Sequence, residues 1–310
     1  MKVAVLAGGR SPEREVSLRS GHLIQLALQS NGHDVVVVDP GEVPLVETLA
    51  EAAPDICYLS LHGKEGEDGT VQRLLELLGI AYTGTGPFDC EVAFDKVLAK
   101  EALTHGGVRT PAWAVVEDRA LRDLGAGSSL AAVLDRVGLP CVVKPSRGGS
   151  AMGVGFVERS SDLPAAVMAA LSFSGAAVVE TRIEGTEVAI GLTGTPWEPL
   201  PLVEIVPKEG VYDYAARYTA GATEYFAPAR LSQDVAAACT ADAIRAAEIL
   251  RLRDVTRVDV IVDAHGQPWV LEVNVAPGMT ETSLVPMATQ ATGRTVGDVC
   301  DSIIRSALTR

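Results

Sequence analysis

Residues 255–278, VTRVDVIVDAHGQPWVLEVNVAPG, constrain the fold more than any other stretch. They read as two strands joined by a turn at Ala264-His265-Gly266-Gln267. Setting Asp263 opposite Pro268 places Asp259 across from Glu272 and Arg257 across from Asn274. Side chains alternate faces along a strand. One face then carries Val258, Val260, Val262, Trp269, Leu271 and Val273, which reads as core. The other carries Arg257, Asp259, Glu272 and Asn274, with Ile261 and Val270 nearer the turn. Like charges directly opposed on a sheet repel each other. Two carboxylates and an amide oxygen on one patch are hard donors, and they suit Mg²⁺ with bound phosphates. The competing reading is a solvated hairpin face with unrelated acids.

The chain has 310 residues, room for one large domain or two to three small ones. At 47% hydrophobic and 21% charged residues it is expected to be globular. The net charge of −14 argues against nucleic acid or an anionic membrane as the main partner, because both need basic surface. Cys57, Cys90, Cys141, Cys239 and Cys300 form no CxxC pair, so a disulfide framework or zinc site is not expected. MKVAVLAGGR reads as a first strand and not a signal peptide, and no stretch reads as a transmembrane span. The expected compartment is the cytoplasm.

The first ninety residues alternate strand and helix, which predicts a mostly parallel sheet. Strands are expected at Val3–Ala7, Val35–Val38, Ile56–Leu61 and Ala81–Gly84, with helices from Ser11-Pro12 to Gln29 and over Thr70–Leu78. One helix is expected from Phe88 to His105, with Lys96 and Lys100 on one side. Further strands are expected near Trp113–Val116, Cys141–Lys144, Ala177–Thr181 and Glu187–Leu192, and long helices over Gln233–Leu250 and Val296–Leu308. The class is therefore α/β at the start and α+β after it. Soft boundaries divide it into 1–95, 96–180 and 181–310.

Lys144 ends an apolar strand and leads into Pro145-Ser146-Arg147-Gly148-Gly149-Ser150-Ala151-Met152-Gly153. Glycines let successive backbone N–H groups converge on an anion, and a lysine at the loop base adds a positive charge. A flexible hairpin turn is the alternative. Neither GxxxxGK[ST] nor GxGxxG is present. Glu180 and Glu187 bracket a turn where they could read a nucleotide, although surface acids are the ordinary reading. Glu15 at a helix start is explained by capping alone. His62 ends a strand, and Tyr212, Tyr214, Arg217 and Tyr218 share one loop that reads as a lid or as packed surface. Together these groups point to phosphoryl transfer with Mg²⁺ and leave the acceptor open.

The motifs resemble those of the D-alanine–D-alanine ligases, a family with the ATP-grasp fold preceded by a parallel-sheet domain. They run Ala7-Gly8-Gly9 with Glu13-Arg14-Glu15-Val16-Ser17-Leu18, then Leu61-His62-Gly63 with Gly66-Glu67-Asp68-Gly69-Thr70, then Lys144-Pro145-Ser146 and Tyr212-Asp213-Tyr214. Arg257-Val258-Asp259 and Leu271-Glu272-Val273-Asn274 follow, with Pro277-Gly278-Met279-Thr280. The resemblance covers essentially the whole chain. It implies that ATP phosphorylates the carboxylate of one D-alanine and that a second D-alanine captures the acyl phosphate, for peptidoglycan precursor synthesis.

It also implies a role for each candidate. Lys96, Lys144 and Arg217 would meet the phosphates, and Glu180, Ile183 and Glu187 the adenosine. Asp259, Glu272 and Asn274 would hold two Mg²⁺, with Mn²⁺ an alternative. Arg257 and the Gly278 N–H would stabilise the oxyanion, and Glu15 would bind the first ammonium. His62 would lie beside the first substrate, and Ser283 and Leu284 beside the second carboxylate. Ser150 and Tyr218 would join the Gly-rich loop to the lid, and a homodimer is implied.

The chain departs from the family pattern at several places. Arg217 replaces a usual lysine, Ala151 a serine, Gly148 a polar residue and Thr181 a lysine, and Val275-Ala276 replaces Thr-x. These departures leave room for a relative with other D-amino or D-hydroxy acids, while Tyr218 favours the dipeptide over the D-lactate product. A nucleotide-binding module without catalysis is a third reading, but all three metal-ligand candidates are present.

Overall fold

The structure is a computed structural model that describes residues 1–212, 216, 217, 219 and 221–309. Tyr214 and Tyr218 lie outside the described residues.

The chain opens with β1 (Lys2–Leu6), α1 (Arg14–Ser30), β2 (Asp34–Val38), α2 (Leu45–Ala52), β3 (Ile56–Leu59) and α3 (Thr70–Leu78). The three strands form a parallel sheet in the order β2-β1-β3, as strand–helix alternation predicts. The expected strand at Ala81–Gly84 is reduced to a single bridge between Tyr82 and Cys57. Ser17, Ser20, Gly21, Ile24 and Leu28 are the buried stripe of α1, spaced three and four apart as a helix face requires.

The single helix expected over Phe88–His105 is two helices, α4 (Pro87–Phe94) and α5 (Lys96–His105). Asp95 breaks it. Its backbone is extended, and its carboxylate accepts the Val97 and Leu98 N–H groups as the α5 cap. Next come β4 (Trp113–Glu117), α6 (Asp118–Leu124), α7 (Ala126–Val137), β5 (Cys141–Pro145), β6 (Gly155–Val157), α8 (Leu163–Leu171) and β7 (Ala176–Thr181). These strands form an antiparallel sheet in the order β4-β7-β5-β6.

The last part holds β8 (Thr186–Thr193), β9 (Glu198–Pro199), β10 (Val203–Pro207), β11 (Thr223–Phe226), α9 (Gln233–Ile249), β12 (Val255–Val262), β13 (Pro268–Asn274), α10 (Leu284–Ala291) and α11 (Val296–Leu308). Its antiparallel sheet runs β11-β10-β8-β12-β13, with β9 paired to β8. The Thr295–Asp298 capping box starts α11.

The hairpin register holds at one end and shifts at the other. Arg257 faces Asn274 and Asp259 faces Glu272, but a bulge follows, so Val260 pairs with Val270 and Val262 with Pro268. One extra residue turns the strand over. Val270 is therefore fully buried in the core, while Leu271 faces the clefts described below.

The cores cross the expected sequence boundaries. Cys90, Ala93 and Leu103 of α4 and α5 pack with Val188, Ile190 and Val258 of the third sheet. Ile303 and Ile304 of α11 pack against Val3, Val5 and Ile24 at the other end of the chain. The middle sheet keeps its own core, which includes Val143, Val157, Val167 and Val179. The sheets are thus held together by packing that joins residues far apart in sequence.

Candidate active site

Two clefts flank the polar end of the β12–β13 hairpin. The larger, about 480 Å³, lies between the middle and last sheets, and Lys144, Glu180, Ile183, Glu187 and Asp259 are among its lining. The smaller, about 140 Å³, is lined by Glu13, His62, Lys96, Ser150 and Arg257, and by Asn274, Gly278, Ser283 and Leu284. Tyr212, Arg217, Leu271 and Glu272 line both clefts and form the wall between them. The described candidate residues from Sequence analysis thus converge on one region, apart from Glu15.

Glu15 is exposed on the first turn of α1, and Glu13 takes the inward place. Residues two apart on a helix point in different directions, which separates the two acids. Glu13 accepts a hydrogen bond from the Ser150 hydroxyl, so it ties the Gly-rich loop to the first domain. Burial raises the Glu13 carboxyl above the usual range, against the pull of Ser150 and Lys96. The loop backbone comes close here: a Cβ on Gly149 would lie 2.8 Å from Glu13 Oε1.

Lys96 begins α5 and reaches across to donate to the Gly148 carbonyl at 2.7 Å. Its Nζ also lies 3.9 Å from Glu272. Glu180, only 2% exposed, lies between Lys144 and Lys100, whose Nζ is 2.8 Å from its Oε2. Burial would raise the Glu180 carboxyl, but Lys144 and then Lys100 outweigh it and hold it low. Lys100 was legible only as a helix-face cation. Its burial at 2% exposure comes from tertiary packing, which no local pattern announces.

Arg257 donates to both oxygens of Asp259, at 2.7 and 2.8 Å. Such a bidentate pair is planar and strongly oriented. For Glu272, burial pushes upward, but Lys96, Lys144, Arg217 and Arg257 together bring the carboxyl down to about 2. Burial pushes Glu187 up to about 7, and the acids Asp259 and Glu272 add to that rise. The Arg217 guanidinium lies 4.6 Å from the centre of the Tyr212 ring. Asp259, Glu272 and Asn274 supply two carboxylates and one amide oxygen. That donor set is of the hard-oxygen kind a divalent cation takes, with both Asp259 oxygens engaged by Arg257 in this structure. Asn274 Oδ1 also accepts the Ala276 N–H at 3.0 Å. Among the described residues, no three His, Cys, Asp or Glu side chains gather as a metal cluster.

His62 is buried, and burial brings its imidazole down to about 4, so it is neutral near pH 7. Its Nδ1 lies 2.9 Å from the Ala276 carbonyl, which can only accept, so Nδ1 carries the proton. Nε2 then accepts from Ser20 Oγ at 3.3 Å, and Ser20 accepts the Met279 N–H at 3.1 Å. His62 and Ser20 thereby brace the Ala276–Met279 loop that contains Gly278. A Cβ at Gly278 would meet Ser283 Oγ at 2.8 Å, so a larger residue there would displace the Ser283 hydroxyl. Ser283 and Leu284 stand at the start of α10, where helix N–H groups favour an anion. Glu67, absent from the candidate set, is buried 3.8 Å from His62 Nδ1, and burial together with Glu13 pushes it up to about 8.

A larger cleft between two antiparallel sheets, lined by both cationic and acidic side chains, which meets a second cleft at a carboxylate-bearing hairpin, is the arrangement of the ATP-grasp fold. Comparison with known proteins narrows the class. The family described as D-ala D-ala ligase C-terminus matches residues 103–305, and D-ala D-ala ligase N-terminus matches residues 45–85. A D-alanine–D-alanine ligase from Bordetella petrii is 42% identical over 308 residues, 99% of this chain and 92% of that protein. The crystal structure of the Bacillus anthracis D-alanine–D-alanine ligase superposes with a TM-score of 0.85 at 30% identity, over 100% of this chain and 98% of that one. A structure of the Bacillus anthracis enzyme complexed with ATP gives 0.84 at 28% identity, again over 100% and 98%. The chain belongs to the D-alanine–D-alanine ligase family, a family of ATP-dependent ligases.

Proposed function

We propose that the chain joins two D-alanines into D-alanyl-D-alanine at the expense of ATP, as a step in peptidoglycan precursor synthesis. The γ-phosphoryl group of ATP passes to a carboxylate oxygen of the first D-alanine, and ADP leaves. The amine of the second D-alanine attacks the resulting acyl carbon, and the tetrahedral adduct expels phosphate. The observation that carries this reading is the shared wall of Tyr212, Arg217, Leu271 and Glu272, because it brings a nucleotide cleft and an acceptor cleft to one junction.

The residues divide the work by charge and position. Lys96, Lys144 and Arg217 offset the phosphate charge, and Glu180, Ile183 and Glu187 line the cleft that takes the adenosine. Glu13, in place of Glu15, binds the ammonium of the first D-alanine, beside His62. Arg257 and the Gly278 N–H face the developing oxyanion, where one such donor is worth about 2.7–4 kcal/mol. Ser283 and Leu284 receive the second carboxylate. Asp259, Glu272 and Asn274 would hold two Mg²⁺ or Mn²⁺ ions, whose chemistry there would be to offset phosphate charge. Ser150 and its loop exclude water from the acyl phosphate, with Tyr218 as the expected lid partner.

A mixed ligase is the second reading, because the VanG D-Ala:D-Ser ligase of Enterococcus faecalis superposes almost as well, with a TM-score of 0.84 at 25% identity over 99% of each chain. No described helix is long and apolar enough to cross a membrane. A cytoplasmic homodimer without a nucleic-acid partner completes the proposal, and the net charge of −14 supports the last point. The test is mass spectrometry of products formed from ATP, Mg²⁺ and a panel of D-amino and D-hydroxy acids. The expected product is D-alanyl-D-alanine with ADP and phosphate. Preferred formation of D-alanyl-D-serine or a D-lactate ester would move the assignment to the mixed reading.

A further inference from the structure

We infer that Lys100 is a positioning residue that frees Lys144 for the nucleotide by taking up the buried charge of Glu180; this rests on the larger cleft being the ATP site.

Glu180 is 2% exposed, and the cations paired with it are Lys144 on its Oε1 and Lys100 on its Oε2. Lys144 lines the larger cleft, whereas Lys100 is in the lining of the smaller one. The two lysines therefore have different freedoms. Lys100, itself 2% exposed, is anchored from behind, with its Nζ 2.6 Å from Thr110 Oγ1. Lys144 extends from the end of β5, next to the Gly-rich loop. A buried carboxylate stripped of its charge partner is costly, so it holds tightly to whatever cation remains. With Lys100 in place, Glu180 keeps a full counter-charge when Lys144 turns toward phosphate. Without Lys100, Glu180 holds Lys144 back.

The position of Thr110 supports the division of labour. A lysine braced by a hydroxyl on one side and a carboxylate on the other has a fixed ammonium, and a fixed charge costs little to keep in place as ligands come and go. Burial also brings the Lys100 ammonium below the ordinary lysine range, with Glu180 opposing. Lys144, whose partners Glu180, Glu272 and Glu187 outweigh burial, is held above that range. Lys144 thus keeps its charge firmly, as a phosphate ligand requires.

The test is a double-mutant cycle on the full enzyme, with Lys100→Met, Lys100→Gln, Glu180→Gln and the Lys100→Met/Glu180→Gln pair, and with ATP and D-alanine varied separately. Lys100→Gln retains a hydrogen-bond donor and covers the case in which Lys100→Met does not fold. Either Lys100 variant is expected to raise KM for ATP roughly tenfold, the scale of one charge-assisted hydrogen bond. KM for D-alanine should change much less than KM for ATP, because the Lys100 ammonium, although in the lining of the smaller cleft, is engaged by Glu180 and Thr110. In the Glu180→Gln background, the Lys100 substitution should add nothing further to KM for ATP. Equal costs in both backgrounds, or a folded Lys100→Gln enzyme with an unchanged KM for ATP, would overturn the inference. The wild-type control separates the two proposals: if it releases no ADP in response to D-alanine, the ligase reading fails, and not the role of Lys100 alone.

Discussion

The contrast between Glu13 and Glu15 is the sharpest test at the scale of single residues. The two acids share a motif, yet Glu13 meets Ser150 at the acceptor cleft while Glu15 is exposed. Glu13→Gln is expected to raise KM for D-alanine roughly tenfold, as loss of a charge-assisted bond would. Glu15→Gln should change it by less than about twofold, since exposed acids contribute little. Steady-state kinetics decides, and the reverse pattern would return the role to Glu15. A pH measurement tests Glu67 and His62. The Glu67 carboxyl rises from 4.5 to about 8 on folding, so the folded protein binds the extra proton between those values. Stability from this group is therefore lost as pH rises through that window. His62 falls from 6.5 to about 4, so its contribution to stability rises with pH over that range. Above pH 6.5, only the Glu67 effect of the two remains. The melting temperature of Glu67→Gln should accordingly fall less than that of the wild type between pH 6.5 and 8. Parallel declines would refute it. The sequence showed which residue types gather at the site, from Lys96 to Asn274. It did not show Lys100, Glu67 or the inward acid, because burial and side-chain direction depend on partners distant in the chain.

At the scale of elements, the bulge between Asp259 and Val260 accounts for both the success and the failure of hairpin reasoning. Alternation located Asp259 opposite Glu272 and Arg257 opposite Asn274, and the structure pairs them so. Alternation alone has no way to place an extra residue, so Val270 and Leu271 exchange faces. Val270→Ala should cost about 2 kcal/mol of stability by denaturant titration, since it removes buried methyl groups and leaves a cavity. Leu271→Ala should affect turnover more than stability, because Leu271 belongs to the wall between the clefts. Exchanged outcomes would mean a hairpin without the bulge. The expected helix over Phe88–His105 failed for a related reason. Its apolar pattern continues, but Asp95 caps α5 and pairs with Arg147 in the Gly-rich loop at 2.9 Å. The strands β10 and β11 and the helix α10 were not read from the sequence, because their partners lie across the sheet or in another core.

At the scale of the whole molecule, the parallel first sheet was legible from strand–helix alternation and the antiparallel pair β12–β13 from its hairpin spacing, whereas the rest of the antiparallel pairing was not. The interlocking of the cores was not. α11 closes the core of the first sheet, and α4 and α5 close that of the last. This cross-packing brings Glu13, Lys96, Ser150 and Glu272 to the walls of one cleft although they span most of the chain. The proposed function rests on that convergence, and in particular on the hairpin acids as the groups that would hold divalent cations where the two clefts meet. The most direct measurement is the anomalous scattering of Mn²⁺ in a crystal grown with a non-hydrolysable ATP analogue. We predict Mn²⁺ peaks at Asp259, Glu272 and Asn274, between the triphosphate in the larger cleft and the acceptor cleft. A triphosphate bound away from these side chains, with no metal upon them, would contradict the central claim.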